Sequence, residues 1–169
     1  MADAQRVPEF IVTCEYGQPV HLCDGVDAVF IDAGHLLGSA SIRLTLTEGG
    51  QTKTIVFSGD IGNVDQPIIR DPQFFTGADY VVMESTYGDR NHTEVWSYTG
   101  QLAQIIDETL GKGGNVVIPS FAVGRTQELL YFIRELKDQG LVTSVPNFPV
   151  YVVRPLAKSA TTSFCGGLR

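Results

Sequence analysis

Three segments of the chain place a histidine or a carboxylate directly after a predicted strand. His35 lies in a glycine-flanked loop behind the apolar run 28–31, Asp60 stands between two glycines, and Glu84 ends the run 80–83. Imidazole and carboxylate groups together are a common ligand set for zinc and other divalent metals. If these strands run in the same direction, the three side chains meet at one edge of the sheet. The pattern then predicts a metal site at that edge.

Each of these residues also has a structural interpretation. A single histidine is more often a surface or hydrogen-bonded core residue than a ligand, and an aspartate between glycines is typical of turns. Glu84 can ligate a metal directly, or accept a hydrogen bond from a ligating histidine and fix its tautomer. His92 either joins the site or begins the following helix, and the second interpretation is favoured. His21 is assigned no role.

A fourth segment, 118–128, runs from a predicted strand through a turn of small residues into a predicted helix. The free backbone N–H groups at such a helix start favour anions, and the fork of the Arg125 guanidinium matches phosphate oxygens. The alternative is an ordinary helix N-terminus that Glu128 caps. Taken alone, the segment favours this alternative.

Hydrophobic periodicity predicts the elements that carry these residues. Strict alternation over 41–47, with short apolar runs on either side and a turn at 48–51, predicts a β-meander. Residues 1–25 show no sustained period and are expected to be a connector. A further strand is predicted at 80–83.

The period lengthens in the second half of the chain. Helices are predicted from about Trp96 to Leu110 and from about Arg125 to Asp138, with a buried strand at 115–118 between them. Alternation of strand and helix is typical of α/β folds with a parallel sheet. The change of period places a domain boundary near Tyr87.

Composition limits the classes of function. The 169 residues carry a net charge of −7, which argues against binding nucleic acid by coating its phosphates with Lys and Arg. No apolar run is long enough to span a membrane and the N-terminus has no signal pattern, so we expect a cytoplasmic protein. The three cysteines lack CxxC spacing and are expected to be reduced core residues.

At the segments described above, the sequence resembles the β-CASP branch of the metallo-β-lactamase superfamily, whose nucleases process RNA and DNA. The matching motifs, in the family's order, are DAGHLLGSA (32–40), FSGDIG (57–62), MESTYGDRNH (83–92) and PSFAVGRTQE (119–128). The resemblance implies a partial metallo-β-lactamase αββα sandwich over residues 1–86. It also implies the start of an inserted α/β β-CASP cap domain over residues 87–169.

The resemblance also implies roles for single residues. His35 matches a ligand to one of two zinc ions, Asp60 matches the aspartate that bridges both, and Glu84 matches the acidic residue that supports the site. Asp60 and Glu84 are therefore the expected catalytic residues. The segment 119–128 would form one wall of a nucleic-acid cleft, which makes Ser120, Gly124 and Arg125 the expected substrate-binding residues. The implied reaction is hydrolysis of phosphodiester bonds in RNA, or in single-stranded DNA, by an enzyme that forms a homodimer.

The sequence departs from the family in two places. The family's His-x-His-x-Asp-His run is absent before Ala28, and the chain has only three histidines. Val153-Arg154-Pro155 stands where relatives typically have Asp-Ser-Pro. We therefore expect a fragment that binds zinc weakly and is inactive alone. The alternatives are a non-catalytic scaffold or RNA-binding module, and a general hydrolase of small esters.

Overall fold

A computed structural model describes residues 2–91 and 98–167. His92 and Trp96 lie outside the described residues. The chain divides into two compact units, each built from two stretches of sequence. The first unit comprises Met1–Asp65 and Arg70–Ser85, and the second comprises Gln66–Ile69 and Thr86–Arg169. The predicted domains 1–86 and 87–169 stay predictions.

The first unit contains a five-stranded mixed sheet with the strands in chain order. A short helix α1 (Ala2–Arg6) and a 3-10 helix (Val7–Phe10) precede it. The predicted meander and the strand after it are confirmed, whereas the connector predicted for residues 1–25 is wrong where β1 forms and pairs with β2. The strands are β1 (Pro19–Cys23), β2 (Val26–Asp32), β3 (Ala40–Glu48), β4 (Gln51–Phe57) and β5 (Tyr80–Val82).

The directions of the strands decide whether the candidate ligands can meet. β3 is antiparallel to both β2 and β4, so β2 and β4 run the same way. β5 is parallel to β4. The C-terminal ends of β2, β4 and β5 therefore lie at one edge of the sheet, which is the condition that the predicted site required.

One face of this sheet is apolar across the strands. The paired positions Ala28↔Leu44 and Leu44↔Ile55 share that face, since directly opposed residues point to the same side. Phe57 and Val82 are also paired on it and are both exposed. Neither α1 nor the 3-10 helix contacts a strand of the sheet.

The parallel pairing of β5 with β4 is fixed by Asp79. Its carboxylate accepts hydrogen bonds from Lys53 Nζ (2.9 Å), from Thr54 N (2.8 Å) and from Thr54 Oγ1 (3.1 Å). The bond from Lys53, followed by those from Thr54, lowers the pKa of Asp79 to about 2. Because the pairing of Ile55 with Tyr80 follows directly, Asp79 sets the register of the parallel strand.

The lowered pKa of Asp79 predicts a pH-dependent contribution to stability. A carboxyl whose pKa is depressed by folding stabilises the fold above its unfolded pKa and ceases to do so as the pH falls through the folded pKa. We expect Asp79→Asn to be destabilising at neutral pH, and its deficit to shrink as the pH falls from about 4 to about 2. Urea unfolding over that range measures the difference. The control is Asp24→Asn, an exposed turn residue, and a deficit that does not change with pH would contradict the assignment.

The second unit contains three helices within the described residues. It contains α2 (Tyr98–Gly111), α3 (Arg125–Asp138) and α4 (Pro155–Gly167). The two predicted helices are confirmed within the described residues. Asp107 of α2 accepts hydrogen bonds from the N–H groups of Ser144 and Thr143 at 2.7 Å each. The bond from Ser144, followed by that from Thr143, lowers the pKa of the Asp107 carboxyl, and both bonds tie the segment 143–144 to the helix. The buried core consists of Ala103, Ile106, Leu136, Val142 and Phe148.

The predicted buried strand at 115–118 is wrong. The segment forms no strand, and Val117 is 85% exposed. An apolar, β-branched run becomes a strand only when another strand supplies its backbone hydrogen bonds, and the described part of the second unit contains no other strand. Over the residues that the structure describes, the chain is therefore α+β with one mixed sheet, and the parallel sheet predicted for the second half does not form there.

No helix among residues 2–91 and 98–167 is long and apolar enough to cross a membrane.

Candidate functional site

His35 lies in a loop that folds back on itself after β2. The N–H of Gly34 donates to Asp32 Oδ1 (2.9 Å), and the N–H groups of His35 and Leu36 both donate to Ser39 Oγ (3.1 Å). Gly34 has a φ of 64°, and a Cβ there would lie 2.5 Å from the Pro72 nitrogen. Only glycine fits at this position, so the loop geometry follows from the sequence Asp-Ala-Gly-His.

The loop that carries Asp60 touches the His35 loop backbone to backbone. Gly62 N–H donates to the Ala33 carbonyl at 2.9 Å. A Cβ on Gly62 would lie 1.6 Å from the Gly34 carbonyl oxygen and 2.7 Å from the His35 nitrogen. The absence of a side chain at Gly62 therefore permits the two loops to approach.

This approach brings the two predicted ligands together. His35 Nε2 and Asp60 Oδ2 are 3.9 Å apart, and their side chains are 43% and 76% exposed. Both polar groups thus face solvent at the sheet edge where β2 and β4 end. The arrangement leaves them accessible to an ion.

Glu84 holds the Asp60 loop from the adjacent strand end. Its Oε1 accepts a hydrogen bond from the N–H of Ile61 at 2.6 Å. Its own N–H donates to Ser58 Oγ at 3.0 Å. Glu84 therefore positions the residue next to Asp60, and a direct role as catalytic residue stays a prediction.

Ser58, which was not predicted from the sequence, is buried and joins β4 to the end of β5. Its hydroxyl donates to the Gly59 carbonyl (2.6 Å), and its carbonyl accepts from Ser41 Oγ (2.7 Å). Its N–H also donates to the Val82 carbonyl. The signal in the sequence was a serine between a strand and a glycine, which alone does not distinguish it from a turn residue.

The His35 and Asp60 pair can be tested against the geometry of zinc. Bonds of roughly 2.0–2.2 Å place two ligands of a tetrahedral zinc ion about 3.4 Å apart. The observed 3.9 Å between Nε2 and Oδ2 requires a closure of about half an ångström by side-chain rotation. The residues that the structure describes contain no group of three His, Cys, Asp or Glu that could hold a metal ion. The pair fits one side of a zinc coordination sphere and does not complete it.

The expected substrate-binding residues lie at the start of α3, in the second unit. Gly124, with a φ of 81°, is the N-cap, and no side chain caps the helix. Glu128 does not cap it because its carboxylate accepts from the Arg125 guanidinium at 2.5 Å. Ser120 Oγ lies 3.0 Å from Thr126 Oγ1. The helix start is confirmed, while substrate binding by Ser120, Gly124 and Arg125 stays a prediction.

The remaining candidates behave as surface residues. His21 Nδ1 lies 3.0 Å from Asp27 Oδ1 in a cross-strand pair between β1 and β2. Cys14, Cys23 and Cys165 are free, but all three are exposed, so their prediction as core residues is wrong. The first two lie before and within the edge strand β1, which buries little of its length. His92 lies outside the described residues, so neither its role in the site nor its role at the start of the helix is tested.

Comparison with known proteins finds relatives over most of the chain. Ribonuclease TTHA0252 of Thermus thermophilus is 37% identical over 143 residues, covering 85% of this chain and 31% of the relative. An RNase J-like protein of Methanocaldococcus jannaschii is 34% identical and covers 85% of this chain and 34% of the relative. The transcription termination factor FttA of Methanothermobacter thermautotrophicus is 32% identical and covers 80% and 21%. No family model matches the chain.

These relatives confirm the resemblance seen in the four motifs, and they define the class as the metallo-β-lactamase superfamily. Within it, the chain belongs to the β-CASP family. It spans about a third or less of the length of the curated relatives it matches.

Proposed function

We propose that this chain supplies part of the active site of a zinc-dependent ribonuclease that hydrolyses phosphodiester bonds in RNA. The observation that carries the proposal is the approach of His35 Nε2 and Asp60 Oδ2 to 3.9 Å at the sheet edge. Two of the relatives are named as a ribonuclease and an RNase J-like protein, which supports the choice of substrate. Cleavage is either endonucleolytic or exonucleolytic.

Two residues of the site would hold metal, and a third would position the loop that carries one of them. His35 would hold one zinc ion, Asp60 would bridge two, and Glu84 would keep the Asp60 loop in place through Ile61. Metal ions held there would lower the pKa of a water molecule and stabilise displacement at a phosphodiester. Because the chain has only three histidines and lacks the His-x-His-x-Asp-His run, it is proposed to be inactive alone.

The finer architecture is part of the same proposal. The sheet of β1–β5 would be one part of an αββα sandwich, and the unit with α2, α3 and α4 would begin the inserted β-CASP cap. Ser120, Gly124 and Arg125 at the start of α3 would then contact phosphates of RNA, or of single-stranded DNA. The whole protein is proposed to be a homodimer.

A second candidate function is a non-catalytic RNA-binding or scaffold module. The observation that favours it is that residues 2–91 and 98–167 contain no three-residue group able to hold a metal. Retention of both His35 and Asp60 within 4 Å counts against it, because a scaffold needs neither side chain. Zinc binding at His35 distinguishes the two functions.

The zinc proposal predicts a response of a single imidazole. In NMR spectra of the ¹⁵N-labelled chain, zinc is expected to shift the ring nitrogens of His35 with weak affinity, because only two ligands are present. Asp60→Asn should remove or strongly weaken that response. His21→Ala, which removes a surface histidine paired with Asp27, is the matched control and should keep it.

A companion assay incubates the clean chain with zinc and RNA, and no cleavage is expected. If zinc leaves the His35 signals unchanged at every concentration, the metal site is refuted and the scaffold function is favoured. Metal-dependent turnover by the isolated chain would refute its proposed inactivity.

A further inference from the structure

The side chains of His35 and Asp60 are too exposed to be held by packing. With 43% of its side chain exposed, His35 depends on the backbone of the loop for its direction. Any residue that fixes that backbone therefore fixes the Cβ from which the imidazole projects. The hydrogen bonds within residues 33–39 show which residues do so.

Ser39 joins the two ends of the His35 loop. Its hydroxyl oxygen accepts the N–H groups of His35 and Leu36, both at 3.1 Å. Its carbonyl accepts the N–H of Ala33 at 3.2 Å. Ser39 thus holds both the amide of His35 and that of Ala33, the first residue of the loop.

Tyr16 attaches this residue to the rest of the sheet. The Tyr16 hydroxyl donates to the Ser39 carbonyl at 2.8 Å, across 23 positions of sequence. The next residue, Gly17, donates its N–H to the Phe30 carbonyl of β2 at 2.8 Å. Tyr16 and Gly17 therefore connect β2 to the His35 loop, with the Tyr16 hydroxyl making the contact to the loop and Gly17 making the contact to β2.

The Tyr16 hydroxyl is suited to be a permanent donor. Partial burial, and then the charge of Asp32, raise the pKa of this phenol above its ordinary value. Like any tyrosine hydroxyl it is protonated at neutral pH, and the raised pKa acts in the same direction.

We propose that Tyr16 is a positioning residue for His35, acting through Ser39 to hold the imidazole toward Asp60 before a metal arrives. The inference rests on the proposed function for the identity of the ion. Its structural content, that the Tyr16 hydroxyl restrains the His35 loop, is testable without metal. Tyr16 lies outside the four motifs that carry the family resemblance.

The test removes one oxygen. Tyr16→Phe keeps the ring and deletes the hydroxyl, so hydrogen exchange of the His35 and Leu36 amides in the metal-free chain should quicken about fivefold. The zinc affinity measured at the His35 ring should fall by about the same factor. Tyr80→Phe is the control, since Tyr80 is an exposed tyrosine in the same unit.

Two substitutions of Ser39 test the same restraint of the His35 loop independently of Tyr16. Ser39→Ala removes the acceptor of two amides and should have a larger effect on the same exchange rates, while Ser39→Thr retains a hydroxyl and should restore them. A general structural role would instead lower the urea midpoint and quicken exchange throughout the sheet. That pattern would overturn the inference.

The outcomes separate the inference from the function on which it rests. If the unaltered chain binds zinc at His35 and Tyr16→Phe binds it equally well with unchanged exchange, the positioning role is overturned. If the unaltered chain does not respond to zinc, the proposed function fails. Exchange at His35 and Leu36 then decides the positioning role alone, faster exchange supporting it and unchanged exchange refuting it.

Discussion

Replacing Gly62 with alanine is expected to separate the His35 and Asp60 loops and to lower the free energy of unfolding by about 2–4 kcal/mol. The new Cβ would lie 1.6 Å from the Gly34 carbonyl oxygen, and backbone atoms cannot rotate away as a side chain can. Relief requires the loops to move apart, which breaks the hydrogen bond from Gly62 N–H to the Ala33 carbonyl. The distance between His35 and Asp60 would grow with it.

Two measurements check this result. Urea unfolding gives the loss of stability, and the zinc titration at His35 should show no response in Gly62→Ala. Gly166→Ala is the control, because a Cβ there meets nothing within 4 Å and its φ lies outside the left-handed region, as does that of Gly62. A Gly62→Ala chain as stable as the control would show that the two loops do not touch.

Leu136→Ala is expected to destabilise the helical unit by about 2–5 kcal/mol. Leu136 is fully buried, with 0% of its surface exposed, and packs in the core with Ile106 and Phe148. Deleting its branched end removes apolar burial and leaves a cavity that the helices α2 and α3 fill only in part. Because Leu136 lies on α3, loosening it also loosens the helix that begins at Arg125.

Circular dichroism followed through urea unfolding measures this loss in helical signal. Leu156→Ala makes the same deletion at an exposed position of α4 and should cost much less. If both variants unfold at the same urea concentration, the cluster around Leu136 is not the core of this unit.

The sequence predicts those parts of the candidate site that depend on local pattern, namely the strands and the polar residues at their ends. Strict alternation fixed β3 and the turn after it, and strand ends pointed to His35, Asp60 and Glu84 as neighbours if the strands ran together. The hydrogen bond from Ile61 to Glu84, across 23 positions, was not predictable. It depends on the parallel pairing of β5, and no local pattern specifies a pairing partner.

The two wrong predictions of strands, at 115–118 and at β1, have the same physical cause, which is that a strand needs a partner that local sequence does not specify. Segment 115–118 has the composition of a buried strand, yet no strand forms because composition cannot supply a partner. β1 was missed for the opposite reason, since it is irregular in sequence but finds β2 beside it. Contacts of Gly62 with Gly34 and of Tyr16 with Ser39 likewise join distant segments. Local patterns predicted which strand ends carry His35, Asp60 and Glu84, and did not predict the contacts that hold the loops there.

The parallel strand β5 has a consequence for the order in which the site forms. Strands β1 to β4 pair with sequence neighbours through two tight turns and the loop 33–39, whereas β5 reaches β4 only after the longer crossover 58–79. Closing a longer loop loses more chain entropy before any contact compensates for it, so distant pairings form later than adjacent ones. Glu84 follows β5, so the N–H of Ile61 in the Asp60 loop has the Glu84 carboxylate as its acceptor only after β5 has paired. We therefore expect the candidate metal edge to be the last part of the first unit to become ordered during folding, after the meander is complete.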